Sequence, residues 1–442
     1  MCNGTIMDKL ISFSLPLMVS GILQLMFNAV DIIVVGRFSG SQALAAVGST
    51  TALINVFINL FMGISLGANV LAARYYAAGR DREMSETVHT SIMLALISGV
   101  VMAFVGVFFA KGALELMDTP ADVIDQSALY MRIYFMGMPF FMLYNYGAAI
   151  LRAVGDTKRP LYFLIVSGVI NAGLNMFLVI VFSLDVAGVA IATVVSQAIS
   201  CVLVLRCLYK SEGSYQLRFS KLCLKKDYII RFPGRHPGGI QSTVINFSNV
   251  LLQSSVNSFG SIAMAGYTAA NNVLGFLYTS VNSVTQACMS FTSQNYGVGK
   301  YKRMDKVLID CLILSSGMAL VMGGGAYLFG TEILQIYTGD PEVIRCGMEI
   351  LSITTVPYFL CGIMDLFPGA LRGMGCSAVP MILSVIGTVG TRIVWIFGIF
   401  PQHRSLYVLF ISYPGSWIIT IIMQVICYLI VRKKVHSRAA AV

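Results

Sequence analysis

The stretch LRAVGDTKRP at 151–160 is answered by LRGMGCSAVP at 371–380, an offset of 220 residues. Arg152, Gly155 and Pro160 align with Arg372, Gly375 and Pro380. The same offset sets YYAAGRDREM at 75–84 against NYGVGKYKRM at 295–304, so that Gly79 meets Gly299. An acidic loop containing Pro120 likewise answers one containing Pro341. Two landmarks of one shift, with the acidic loops one residue off it, divide the chain into two like halves. Gly155 suits a helix end, where a positive φ is cheap, and Pro160 suits a helix start, where its φ is already set.

Outward from these junctions the sequence is almost all apolar. Of 442 residues, 57% are hydrophobic and 11% are charged, and mean hydropathy is +0.79. A soluble domain carries about a quarter charged residues. This composition cannot cover a water-facing surface, which argues against a cytosolic enzyme, a secreted domain and a disordered chain. It fits a polytopic membrane protein. The ten cysteines show no CxxC spacing, and Cys201, Cys288, Cys311, Cys361 and Cys427 lie in apolar runs. They read as small buried packing residues rather than disulfides or metal ligands. No signal peptide is evident, because the first apolar run is too long and contains Asp31.

Apolar runs of spanning length fall near 10–35, 45–75, 88–110, 127–151, 160–183, 187–209, 237–259, 265–293, 307–330, 346–371, 379–400 and 406–431. They must be helices, because unpaired backbone groups cannot face hydrocarbon and the runs lack barrel alternation. The expected fold class is therefore an all-α integral membrane protein of twelve transmembrane helices in two pseudo-symmetric six-helix lobes. The lobes are assigned to 1–209 and 236–442, with a basic linker at 210–235. Basic residues cluster after the even-numbered spans: Arg74, Arg80, Arg82, then Arg152, Lys158, Arg159, then the linker, then Lys300, Lys302, Arg303, Lys306, then Arg372, and the tail Arg432, Lys433, Lys434, Arg438. The opposite loops hold Asp118, Asp122, Asp125, Glu332, Asp340 and Glu342. Both termini are accordingly expected in the cytoplasm. The net charge of +10 follows from this rule and does not point to nucleic acid. Six spans per half give both halves one orientation, related by an axis along the membrane normal, the arrangement of transporters with a midplane site.

Polar groups within spans mark candidate sites, because an ionisable group there costs ~2.5–3.5 kcal/mol. The first span has Gln24, Asn28 and Asp31, spaced four and three apart and so on one helical face. Pro16, earlier in that span, removes a backbone hydrogen bond and is a candidate hinge. The fifth span has Asn171 and Asn175, four apart, and the sixth has Thr193. Their depths allow Asp31, Asn171, Asn175 and Thr193 to meet in the outer half of the first lobe. One carboxylate among amide and hydroxyl oxygens suits H+ or Na+, and apolar surroundings disfavour its charged form. The alternative is that Asp31 sits at the membrane surface and caps a neighbouring helix. The second half carries Asn246, Asn249 and Gln253 without a carboxylate, while Asp365 stands in the tenth span, aligned with Asn145. Arg392 is expected to pair with Asp365; a second protonation site is the alternative. The 24 Met and 26 Phe suit adaptable surfaces for apolar cations, a weak signal.

The residues quoted so far, with LAAVGS at 44–49, NAGLN at 171–175, GVAIAT at 188–193 and ALRGMG at 370–375, resemble the multidrug and toxic compound extrusion (MATE) family, in its DinF-like prokaryotic branch. The resemblance covers nearly the whole chain. It implies a multidrug antiporter of the bacterial inner membrane, exporting mostly cationic, amphipathic compounds in exchange for H+ or Na+. It implies that Asp31 is the coupling carboxylate, with Asn171 and Thr193 in its site. Asn175 falls where some members carry a second Asp, which leaves the coupling ion and stoichiometry open. Gln24, Asn28, Asn145, Asn246, Asn249, Gln253 and Asp365 are assigned to the substrate cavity. RFPGRHPGG at 232–239 brings Arg235 and His236 to the seventh span, where an interfacial position is expected. No cofactor is expected beyond the coupling ion, and the partners expected are small molecules and lipid around a monomer. The nearest rival, a flippase for a lipid-linked saccharide, calls for a cationic cavity; Arg132 and Arg392 are the main mid-span candidates. An enzyme is not expected, since no HExxH or GxSxG occurs in the spans and His89, His236, His403 and His436 are scattered. A passive channel has no need of a protonatable site in one half.

Overall fold

A computed structural model describes residues 1–115, 123–222, 224–225, 244, 248–249, 252–256 and 258–440. The described residues are helices and short connections, with no strand among them. They fold as two compact units, an amino-terminal unit of Val19–Gly239 and a carboxy-terminal unit of Met1–Met18 with Ile240–Val442. The later part of the expected linker from residue 226, with Arg235, His236 and the greater part of the 237–259 run, lies outside the described residues, as do Asn246, Asp118, Pro120 and Asp122.

Helix α1 (Met7–Phe38) is followed by α2 (Gly40–Ala77), α3 (Asp81–Glu115), α4 (Ile124–Met136), α5 (Met138–Ala153), α6 (Lys158–Met176) and α7 (Asp185–Lys210). After residue 260 the same order returns with α8 (Ser261–Gly297), α9 (Tyr301–Leu328), the short α10 (Gly330–Gln335), α11 (Pro341–Thr354), α12 (Tyr358–Gly373), α13 (Ala378–Ser384), α14 (Thr391–Val394) and α15 (Leu406–Ala440). The repeat read from the sequence is thus a repeat of elements. Its punctuation is the same too: Gly79, Gly155, Gly299 and Gly375 all have positive φ, at 64°, 100°, 73° and 89°.

Seven helical stretches are long and apolar enough to cross a bilayer, and α11 with α12 makes an eighth, bent by 51°. At 38 and 37 residues, α2 and α8 reach ~55 Å at 1.5 Å per residue and span by length. The fourth expected span is broken at Gly137 into α4 and α5. Pro139 follows the break, with no N–H to continue the ladder. The architecture is that of twelve transmembrane helices in two six-helix lobes. Two spans depart from regular helix: α6 runs on into a π-helical turn at Phe177–Val181, and α13 and α14 alternate with π turns at Val385–Gly390 and Trp395–Ile399.

The first helix is shared between the units. Its start packs into the carboxy-terminal unit, with Ile6, Leu10, Phe13 and Leu17 in one apolar cluster with Val284, Phe291, Leu371 and Tyr428. Phe13 meets Phe291 edge-on at 5.6 Å. Ahead of it, Arg303 donates to the carbonyls of Met1 (3.3 Å) and Gly4 (2.8 Å), and Lys300 to the Cys2 carbonyl (3.1 Å). Two residues after Pro16 the same helix passes into the amino-terminal unit. Large apolar side chains such as Phe104, Phe108, Phe109, Val321, Leu328 and Phe397 are more than half exposed. Against acyl chains such surface costs nothing, whereas in water it is an aggregation hazard.

Helix approach is set by glycines. A Cβ on Gly168 of α6 would lie 1.9 Å from the ring of Phe27 on α1. This packing sits about one turn before both Asn171 and Asp31, so it fixes how closely the two helices that carry them run. Gly168→Leu is expected to cost ~1–3 kcal/mol by overpacking, seen as a lower melting temperature of the purified protein. Adding Phe27→Ala should recover more than the two separate effects predict.

Candidate functional site

The polar site of the amino-terminal unit is built from three helices. Asp31 sits late in α1, two helical turns after Gln24 and on the same face. Asn171 and Asn175 are one turn apart on α6, and both are buried, Asn175 completely. Thr193 lies in the first half of α7. The structure brings all four together. Asn175 Nδ2 donates to Asp31 Oδ1 and also to Asn171 Oδ1 at 3.2 Å. The Thr193 hydroxyl donates to the Val189 carbonyl of its own helix at 3.0 Å and lies near enough to Asp31 to act on its carboxylate. Asp31 is half-buried and is bonded within a span; it does not cap a neighbouring helix.

The inventory of this cluster is one carboxylate, two amides and one hydroxyl. Asn175 uses both amide hydrogens, while its Oδ1 is buried with no hydrogen-bond partner among the described residues. A buried acceptor left unpaired costs ~1–3 kcal/mol. A proton on Asp31 or a bound cation would give that oxygen something to accept or coordinate. The π turn at Phe177–Val181 begins two residues after Asn175. Such turns gather at functional positions because they displace the side chains that flank them.

Two aromatic members are not legible as site residues in the sequence. Tyr130 and Tyr134 of α4, their rings stacked at 6.1 Å, lie close enough to feel the charge of Asp31. A shallow cleft of about 10 Å³, room for one water, begins at Tyr134 and Thr193. It continues along Gly137, Met138, Phe141, Val194 and Gln197, so its wall is mainly apolar beyond the polar cluster.

The other expected residues are dispersed. Gln24 and Asn28 are exposed. Asn145 is buried, but its amide donates to the Phe141 carbonyl of its own helix at 2.8 Å. Gln253 is half-buried. The expected ion pair between Asp365 and Arg392 is not formed. Arg392 is buried, donates from Nη1 to Asn249 Oδ1 at 2.9 Å, and lies 4.2 Å over the ring of Tyr413. A guanidinium stacks on an aromatic face at little desolvation cost, and that packing replaces the carboxylate partner. Asp365 lies near Arg372 instead, two turns on along α12 and close enough to act on its charge. Arg132 is exposed.

Comparison with known proteins agrees with this arrangement. The MatE family model matches residues 16–177 and 237–397, one match to each half of the repeat. The chain is 30% identical to a probable multidrug resistance protein, YoeA, of Bacillus subtilis, over 96% of this chain and 93% of the relative. It is 27% identical to the probable multidrug resistance protein NorM of Thermotoga maritima, over 88% and 84%. A crystal structure of MATE in the straight conformation superposes with a TM-score of 0.89 at 19% identity, covering 99% of this chain and 98% of that one. Repeat, twelve-helix fold and family match converge, and the chain belongs to the MATE family of membrane transporters.

Proposed function

We propose that the protein is a multidrug efflux antiporter of the bacterial inner membrane, with both termini cytoplasmic, which exports cationic, amphipathic organic compounds in exchange for H+ or Na+. The observation that carries this reading is the Asp31–Asn175–Asn171–Thr193 cluster, where a single carboxylate on α1 meets polar groups of α6 and α7. The names of the curated relatives as multidrug resistance proteins support the class of substrate.

The coupling step follows from hydrogen-bond polarity. With Asp31 ionised, Asn175 points its amide hydrogens at the carboxylate. When Asp31 takes up a proton it becomes a donor, and the unpaired Asn175 Oδ1 is the acceptor nearest in the cluster. Na+ would draw the same oxygens inward, those of Asp31, Asn171, Asn175 and Thr193. Either way the pattern that ties α1 to α6 changes. Helix α1 transmits the change past Pro16, where its backbone ladder is interrupted, and the substrate path is exposed to the two sides of the membrane in turn. Gln24 and Asn28, exposed amides on the Asp31 helix, are the first residues we place on that path, with Asn145, Asn249, Gln253 and Asp365 as further polar contributors. One carboxylate sets the exchange at one charge per cycle. Against a monovalent organic cation that exchange is electroneutral, so the ion gradient drives it, at ~1.4 kcal/mol per pH unit for H+.

Efflux into vesicles under an imposed ΔpH or Na+ gradient tests the reading. Asp31→Asn should abolish gradient-driven transport while the protein stays folded and monodisperse. Normal gradient-driven efflux by this variant would remove the mechanism, and transport that runs without either gradient would favour a passive channel.

Asn175→Asp places a second carboxylate beside the first. Like charges at this distance raise the proton affinity of the pair, so the pH at which transport is half-maximal should rise. The number of coupling cations moved per substrate should also grow from one toward two. An unchanged charge ratio and pH profile would show that residue 175 takes no part in coupling.

A further inference from the structure

Between the end of α7 and residue 225 the chain is folded onto the amino-terminal unit with one side pinned and the other uncovered. Leu217 is fully buried and its N–H bonds to the Leu208 carbonyl at 3.0 Å. The N–H of Arg218 donates to Nε2 of buried His89 on α3, also at 3.0 Å. His89 Nδ1 lies 2.6 Å from the Ser85 carbonyl, so the ring proton sits on Nδ1 and leaves Nε2 free to accept. Tyr215 rests edge-on against Tyr76 at 6.1 Å, and Lys225 reaches Glu86 at 2.5 Å. These contacts hold the inner side of the segment.

The outer side carries apolar and basic groups together. Phe219 is 57% exposed, Tyr209 53% and Leu224 49%, and the rings of Tyr209 and Phe219 stack at 5.9 Å. Exposed Arg206, Lys210 and Lys221 flank them and make no ion pair among the described residues. Glu212 is the one carboxylate between 206 and 225. The face is continuous with the lipid side of α7: exposed Val195 and Val202 lie seven residues apart, and Arg206 and Tyr209 follow four and seven after Val202. Those intervals put all four on one helical stripe. A stripe that faces acyl chains at Val195 and Val202 reaches the headgroup layer where α7 ends, at Arg206 to Lys210.

We propose that this stacked aromatic pair, Leu224 and the unpaired cations Arg206, Lys210 and Lys221 form a docking surface for anionic phospholipid headgroups. Aromatic rings settle at the membrane interface, and basic side chains beside them meet lipid phosphates. The pinned segment lies flat on the leaflet at the α7 carboxyl end, which is the cytoplasmic leaflet in the orientation proposed above. The inference stands on the membrane fold and does not need the transport reading.

The test uses the full-length protein in phosphatidylcholine–phosphatidylglycerol nanodiscs with bromine on one lipid at a time, at equal bromine content. Phe219→Trp adds emission to that of Trp395 and Trp417, and the unsubstituted protein supplies the background to subtract. The added emission should be quenched more strongly by brominated phosphatidylglycerol than by brominated phosphatidylcholine. Neutralising Arg206, Lys210 and Lys221 to Gln in the same background should erase the preference, by up to about fivefold per cation at ~1 kcal/mol each. Equal quenching by both lipids would overturn the anionic selectivity. Added emission that no bromolipid quenches, but that a water-soluble quencher reaches, would overturn the lipid contact altogether and leave a surface for water or a soluble protein.

Discussion

A carboxylate that leaves water must find hydrogen-bond donors or give up its charge, and Asp31 depends on this constraint. The hydrogen bond from Asn175 reaches across 144 residues of sequence and draws α1 and α6 together. Thr193 adds α7. Buried charges are costly unless paired, yet no cationic side chain bonds to Asp31. Amides and a hydroxyl stabilise the ionised form only in part. A site poised in this way gains by taking up a positive charge, which is what an exchange cycle needs. A guanidinium in place of Asn175 would satisfy the carboxylate permanently and leave nothing to exchange.

The second half of the repeat supplies that contrast. Asn249 stands in the first span of the carboxy-terminal half, Arg392 in the fifth and Tyr413 in the sixth. The same three spans that build the Asp31 cluster here hold a cation of the protein's own. The guanidinium of Arg392 is held by the Asn249 amide and the Tyr413 ring, whereas the Asp31 carboxylate is met by the Asn175 amide. Asp365 stays apart from the Arg392 cluster, near Arg372 on α12. Equivalent spans of the two halves thus carry polar clusters of opposite sign, one around Asp31 and one around Arg392.

Much of this was legible in the sequence, and the exceptions have physical reasons. Span count and repeat follow from apolar run length and from Gly–Pro junctions, which are local properties. Helical spacing and depth were enough to group Asp31, Asn171, Asn175 and Thr193. Arg392 was matched with Asp365 because opposite charge is the pairing that sequence displays; stacking on Tyr413 depends on ring orientation, which no spacing encodes. Tyr130 and Tyr134 passed unnoticed because aromatic residues in a span are ordinary packing until an acid is placed beside them. The π turns after Asn175 and around Arg392 were invisible for a similar reason. They arise from packing of whole helices, and Phe-Leu-Val-Ile-Val carries no signal that distinguishes them.

Helix α1 explains how a local change at one carboxylate becomes a property of the whole chain. Its start is held by the carbonyl contacts of Arg303 and Lys300 and by Phe13 against Phe291, all in one unit. Its end carries Asp31, bonded within the other. Its ends are anchored, by Leu10 and Phe13 at the start and by Val34 and Val35 toward the close, while no residue from 18 to 33 is buried. In the proposed cycle the strain would fall at Pro16, which lacks an N–H for the helical ladder and lies just before the helix changes unit. Had the two ends belonged to one unit, loss of the Asp31–Asn175 bond would relax a single packed body and go no further.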